Sequence, residues 1–314
     1  MSAHEWKAWK LTAGPSDLSS IPTPLERPEV EPVVIDYPDR AAWTSARASG
    51  VGASEVSALL GLNPWRSLRD LWREKTGAKP PADLSRVPAV QRGVRLESSL
   101  LSAHAHHARR DVFPWPQCSV IRHPSAPLFA TLDGQQRDRS GVRRDLGIVE
   151  AKTASRAGDW AAGVPIYYRC QIHTAAYLAG KQWGSVVVLI GDDDLRVIDF
   201  ATDCRFAEAV VTAVRLFWAD VQAGREPIDA TLEAARAAAA LLDVPAVQAK
   251  GQAGAKSVPA GGWSTATNRR RDPIEPAERD EPDVMEVAKI PEADGPPCHY
   301  ARTWRGFEGV VMVS

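Results

Sequence analysis

Four charged residues stand where they can act together: Glu97, Asp133, Glu150 and Lys152. Between about Val90 and Ala108, Val90, Val94, Leu101 and Ala105 recur at steps of four and seven. That spacing predicts one face of a helix, and Glu97 falls on it. A carboxylate on an apolar stripe is costly unless it is paired, protonated or bound to a cation. The run LFATLD predicts a strand with Phe129, Thr131 and Asp133 on one side, and Gly134 predicts a tight turn directly after Asp133. In GIVEAKT a period of two puts Glu150 and Lys152 on one face and Val149 and Ala151 on the other. Three carboxylates and a lysine thus converge from a helix and two strands.

Carboxylates at that density call for a hard cation. Mg2+ suits them because it takes oxygen ligands and keeps several waters. Such an ion polarises a phosphodiester and lowers the pKa of a bound water. Lys152 would orient that water or neutralise charge building on phosphorus. Taken alone, Glu150-x-Lys152 reads as the ordinary solvated face of a strand. The Asp-Gly upstream and the interior helical Glu97 turn the balance toward chemistry.

The elements that must position these groups are legible in outline. Ser54 is expected to cap a short helix carrying Val56, Leu59 and Leu60 and closed by Gly61, and Ser67 to open another that stops at Gly77. After the long helix come strand-like runs near 119–122, 128–133 and 147–153. Pro165 starts a helix through Leu178, stopped by Gly180. SVVVLI, a turn at 191–194 and LRVIDF read as a hairpin. A helix carrying Phe206, Val210, Ala213, Phe217 and Val221 follows, then an alanine-rich one around 232–242. The expected fold class is α/β, a mixed and mostly antiparallel central sheet flanked by helices.

At both ends the pattern changes. Residues 1–40 are punctuated by proline and read as an extended arm with a short strand at VVID (33–36). Residues 41–243 form the expected catalytic domain, and 244–314, again rich in Pro and Gly, read as a flexible tail.

Composition narrows the function classes. Thirty-eight Lys+Arg against 39 Asp+Glu leave a formal net charge of -1, so no whole-chain basic field announces nucleic acid, although local patches and bound metal do the same work. No apolar run is long enough to span a bilayer and the first residues lack an apolar signal core, so the expectation is a cytoplasmic protein with no membrane partner. Cys118, Cys170, Cys204 and Cys298 form no CxxC, which argues against zinc ribbons and iron–sulfur centres.

Asp133 followed by Glu150-Ala151-Lys152 resembles the PD-(D/E)XK nuclease signature. The flanking text is similar to the YqaJ / lambda-exonuclease-type viral recombinase nucleases: Gly52-Ala53-Ser54-Glu55 with Leu60-Gly61-Leu62, Leu71-Trp72-x-x-Lys75-Thr76-Gly77, Arg92-Gly93-x-x-Leu96-Glu97, and Ala130-Thr131-Leu132-Asp133-Gly134. The motifs stand in family order across roughly residues 40–222. The resemblance implies a restriction-endonuclease-like core and a metal-dependent exonuclease on double-stranded DNA ends, degrading one strand 5′ to 3′. It would leave a 3′ overhang for a single-strand annealing protein, in phage-type recombination in a bacterial host's cytoplasm.

Carried over residue by residue, Glu97, Asp133 and Glu150 match the family's metal-binding acids and Lys152 its catalytic lysine, with Mg2+ as the metal and Mn2+ as a substitute. The resemblance implies that the Ala151 carbonyl would add a further metal ligand. Arg47, seven residues before Ser54, matches with it the pair that holds a 5′-terminal phosphate, a task suited to a guanidinium and a hydroxyl. Gln171 matches a glutamine near the metal, with His173 beside it a weaker match. A ring-shaped homotrimer is implied by analogy alone.

Other features read as ordinary. His104, His106 and His107 read as a solvated helix end, and Asp192, Asp193 and Asp194 as turn chemistry. The Arg-rich segment 135–149 is expected as a loop, equally suited to DNA backbone or to solvent. Trp65, Trp72, Trp160 and Trp183 are core by default, Trp160 being the one singled out for DNA contact. Two rival functions stay open: an endonuclease on the same fold, and a DNA-binding recombination accessory that has lost catalysis.

Overall fold

The computed structural model describes residues 8–22 and 30–242. The expected tail over 244–314, including Arg269–Arg271, lies outside the described residues. The proline-punctuated arm supplies two strands, β1 (Lys10–Ala13) and β2 (Val33–Asp36), the second being the expected VVID stretch. After them come α1 (Arg40–Arg47), β3 (Val51–Gly52), α2 (Val56–Leu59), α3 (Leu68–Lys75) and α4 (Pro88–His107). Strands β4 (Arg110–Pro114), β5 (Ser119–Arg122), β6 (Leu128–Ala130), β7 (Gly134–Asp138) and β8 (Gly147–Ala154) follow. The chain continues through α5 (Ile166–Leu178), β9 (Trp183–Ile190), β10 (Asp194–Ala201), α6 (Cys204–Gln222) and α7 (Asp229–Leu242). Among the described residues no helix is long and apolar enough to cross a membrane.

Local chemistry sets many boundaries. Ser67 accepts the Asp70 N–H at the start of α3, and Gly77 at φ +75° ends it. Pro165 precedes α5, and Gly180 at φ +64° follows it. Asp203 accepts the Phe206 N–H to open α6.

A six-stranded sheet runs in the order β1-β10-β9-β8-β7-β4 and a four-stranded one in the order β2-β5-β6-β3. Parallel and antiparallel pairs mix, the antiparallel ones in the majority, as the sequence predicts. β8 and β9 are parallel, and α5 is the crossover such a pair requires. The period-two reading of β8 holds. Val149, with Val187 and Leu189, packs against Leu96, Leu100, Leu101 and Ala103 of α4. Val186, Val188 and Ile190 pack on the opposite face against Ile172 of α5 and Trp160.

Three expectations are corrected. The buried face of α4 centres on Leu96, Leu100, Leu101 and Ala103, whereas Val94 is 70% exposed and Glu97 is exposed too. The helix docks through its C-terminal half, and its first turns stay largely exposed. Asp133 precedes no tight turn: β6 belongs to one sheet and β7 to the other, and Asp133 lies where the chain passes between them. Gly134 is needed there for space, since a Cβ would sit 3.0 Å from Phe113 O and from Val149 Cγ1. The Arg-rich loop 135–149 is shorter than expected, because its two ends pair as β7 and β8, with Gly134 opposite Val149, and the loop proper is 139–146.

Inside the six-stranded sheet, Arg110 donates to Asp199 Oδ1 (2.5 Å) and Oδ2 (2.9 Å), and Gln136 joins Ser185 (2.7 Å) and His104 (2.7 Å) to the same buried network. His104 is therefore a hydrogen-bonded core residue, not the solvated helix end expected. Burying an ion pair is tolerable only with such additional hydrogen bonds.

Candidate active site

β8 presents Glu150 and Lys152 on the face covered by α5. Both are largely buried, their side chains 2% and 15% exposed. Lys152 Nζ and Gln171 Nε2 both donate to Glu150 Oε1, each at 2.5 Å. Glu150 Oε2 is buried and has no hydrogen-bond partner. One α-helical turn before Gln171, the Tyr168 ring lies 5.1 Å from Lys152 Nζ. Asp133 reaches β8 from the sheet-to-sheet crossing, where its Oδ2 accepts the Ala151 N–H at 2.8 Å.

Ala151 N–H and C=O leave an extended strand on the same side. On that side the β7 ladder ends at Val149, so the Ala151 carbonyl faces the Asp133 edge free of a strand partner.

A cleft of about 440 Å3 gathers these groups. Arg47, Ser54, Glu97, Asp133, Glu150, Lys152 and Gln171 all line it. These seven side chains therefore face one concavity, although the segments that carry them span Arg47 to Gln171. A larger hollow of about 600 Å3, between the arm and the β4 and β7 ends, holds none of them.

The electrostatics are those of crowded acids around one base. Burial and then the charge of Asp133 push the Glu150 carboxyl up to about 7, against the pull of Lys152. Asp133 is raised by burial, with Lys152 and the Ala151 N–H opposing. Glu97 is raised by the crowding of the cleft wall and by Asp133; water reaches its side chain, so this crowding is that of a rim, not a core. Lys152 is raised despite burial because Glu150 and Asp133 hold its proton. The charge of Asp133 disfavours that of Glu150, while both acids favour the charged lysine.

Ser54 corrects one expectation. Residues 53–55 form a 3-10 turn running into α2, and Glu55, not Ser54, accepts the capping Gly52 N–H at 2.8 Å. Ser54 is exposed and its hydroxyl sits at the cleft instead. Arg47 ends α1, with its guanidinium 4.5 Å from the Trp43 ring centroid and 5.6 Å from that of Phe129. Burial lowers its pKa, and Arg40 adds to the lowering while Glu55 opposes it.

Arg40 and Trp43 also line the cleft, with the Arg40 guanidinium 4.6 Å from the Trp43 ring centroid. Neither was singled out by sequence, yet Arg40, Trp43 and Arg47 repeat at i, i+3 and i+7, the signal of one helical face. His173 is buried, accepts the Asp203 N–H at 3.2 Å and does not line the cleft. Trp160 is 2% exposed and belongs to the core, contrary to its choice as a DNA contact.

Among the described residues no three His, Cys, Asp or Glu side chains are clustered as a ready-made metal cage. The oxygen donors nonetheless fit a hard cation that keeps part of its water. Glu150 offers a buried oxygen with no partner, the pKa values of three acids are raised, and a lysine and an amide stand where they partly replace a cation.

The family model for the YqaJ-like viral recombinase domain matches residues 42–182. An uncharacterized protein YqaJ of Bacillus subtilis (strain 168) is 26% identical over 195 residues, covering 60% of this chain; the chain spans 58% of that relative's length. Among solved structures, the alkaline exonuclease LHK-Exo of Laribacter hongkongensis is similar at 22% identity and a TM-score of 0.47, over 63% of this chain and 98% of that one. A phage-related exonuclease of Haemophilus somnus 129PT is similar at 9% identity and a TM-score of 0.38, over 62% and 94%. The acids and the lysine of this cleft all fall within residues 42–182, the stretch that is similar to the YqaJ-like viral recombinase domain.

Proposed function

We propose that this protein is a metal-dependent DNA exonuclease acting on double-stranded ends, cutting 5′ to 3′ and leaving 3′ single-stranded overhangs. The observation that carries the reading is the shared cleft: the acids and lysine suited to phosphodiester hydrolysis line the same walls as the arginine and hydroxyl suited to a terminal phosphate.

Glu97, Asp133, Glu150 and the Ala151 carbonyl would hold Mg2+, or Mn2+ in its place. When bound, the ion supplies Lewis-acid polarisation of the phosphate and a more acidic water. Lys152 holds a proton beside Glu150 and offsets negative charge at the reacting phosphate. Gln171 keeps Glu150 in position through its Nε2 donor. Arg47 and Ser54 take the 5′-phosphate and set which bond meets Lys152. Recombination by way of a single-strand annealing partner, and a ring of three chains, belong to the same proposal, as does the three-part division at residues 40 and 243.

The test uses purified protein and Mg2+ on linear duplex with a 5′-phosphate, the same duplex with a 5′-hydroxyl, a covalently closed circle and a single strand. The expected result is loss of the phosphorylated duplex with the circle spared. A cut circle would move the protein to the endonucleases, and no hydrolysis with either Mg2+ or Mn2+ would leave a binding accessory.

A further inference from the structure

Of the tryptophans considered as stacking platforms, Trp183 and Trp160 are buried, whereas Trp65 is 73% exposed. Its backbone is braced. Asn63 Oδ1 accepts the N–H groups of Trp65 (2.9 Å) and Arg66 (3.0 Å), and Asn63 Nδ2 donates to Ser57 Oγ at 3.0 Å. Arg66 is in turn anchored to Glu55 at 3.1 Å and to Glu74. A braced turn that holds a large indole in water adds little to the fold itself.

What the indole touches is informative. It stands edge-on to Tyr167 with ring centroids 5.0 Å apart, Tyr167 lies 4.5 Å from Tyr168, and Tyr168 lies 5.1 Å from Lys152 Nζ. A row of rings therefore runs from the surface to the lysine of the cleft. None of the three rings lines the cleft itself.

We propose that Trp65 and Tyr167 form a stacking ledge for unpaired bases of the DNA strand being cut, next to the phosphate presented to Lys152. The inference rests on the nuclease reading above. Every base has a π-face, so stacking on such rings is tolerant of sequence, as an end-resecting enzyme requires. The edge-on contact with Tyr167 leaves indole surface open, and the Asn63 turn fixes the ring before a base arrives, which keeps the ordering cost of binding low. Tyr168, held against Lys152, links the ledge to the reacting phosphate.

The test measures binding of a labelled oligothymidylate and of duplexes with and without an unpaired extension, using the full chain in EDTA so that nothing is cut. Trp65→Ala should weaken binding to the single strand and the extended duplex by on the order of tenfold, the blunt duplex less, and Trp65→Phe should retain most of the affinity. Equal single-strand affinity of Trp65→Ala and the unaltered protein overturns the ledge, as does a loss confined to binding of a protein partner. A strand carrying 2-aminopurine gives a readout without mutation: stacking quenches its fluorescence, and an unquenched bound strand also overturns the proposal. Hydrolysis in Mg2+ is followed separately on the unaltered protein. Hydrolysis with an ineffective Trp65→Ala removes the ledge and keeps the nuclease; weakened binding without any hydrolysis does the reverse.

Discussion

Asp133 Oδ2 accepts the backbone N–H of Ala151 at 2.8 Å, clamping the point where the chain changes sheets to the strand that bears Glu150 and Lys152. The clamp needs Gly134, which lets β7 approach Phe113 and Val149. Gly134→Ala adds a methyl against backbone and a buried valine. It should cost about 1–3 kcal/mol and lower kcat by displacing Asp133, with KM little changed. Thermal melting and steady-state kinetics check this; an unaltered kcat would show that the clamp does not set the position of Asp133.

The raised Glu150 carboxyl predicts a link between protons and metal. Its folded value of about 7 lies above the ordinary 4.5, so the native state without metal retains the proton. That contribution to stability is complete below about 4.5 and fades as pH rises through about 7. Mg2+ must displace the proton, so apparent affinity should climb through pH 7 and binding at pH 6 should release protons. Calorimetry in buffers of different ionisation enthalpy measures the release, and none at pH 6 would refute the assignment. Lys152→Ala should cut hydrolysis roughly 10²–10³-fold with the protein still folded.

Arg47 makes a prediction about substrate. Arg47→Ala should abolish most of the preference for a 5′-phosphate over a 5′-hydroxyl end, chiefly by lowering activity on the phosphorylated duplex about 10²-fold, taken as loss of a charged hydrogen-bonding group worth about 2–3 kcal/mol. The ratio of kcat/KM for the two ends is the measurement. A ratio that survives the substitution would place the phosphate elsewhere.

His104 controls behaviour in acid. Burial, opposed by its bond to Gln136, lowers its pKa from 6.5 to about 4, so the native state holds it neutral. Its contribution is present above about 6.5 and is lost as pH falls through about 4, a difference on the order of 3 kcal/mol. Urea midpoints should fall over that window, and His104→Gln should flatten the fall. A slope that Gln leaves unchanged would assign acid sensitivity to other groups.

Short-range periodicity made much of this protein legible. Period two in GIVEAKT was enough to separate Glu150 and Lys152 from Val149 and Ala151, because the pleat alternates side chains whatever the partner strand. Capping residues and glycines at positive φ marked the ends of α3 and α5 for equally local reasons. Val90 and Val94 of α4 are exposed despite their spacing, because helical spacing fixes which residues share a side but not which side meets a sheet. The same limit hid His104 in the core and Trp160 beneath α5. Only tertiary structure decided that Arg47 and Ser54 would share a cleft with Glu150, that Asp133 would stand between two sheets, and that Trp65 alone of its group would face water among the residues described here. Those relationships depend on segments far apart in the chain, as where Val51 pairs with Leu128, and the outcome is set by the packing of the whole core and not by any window of sequence.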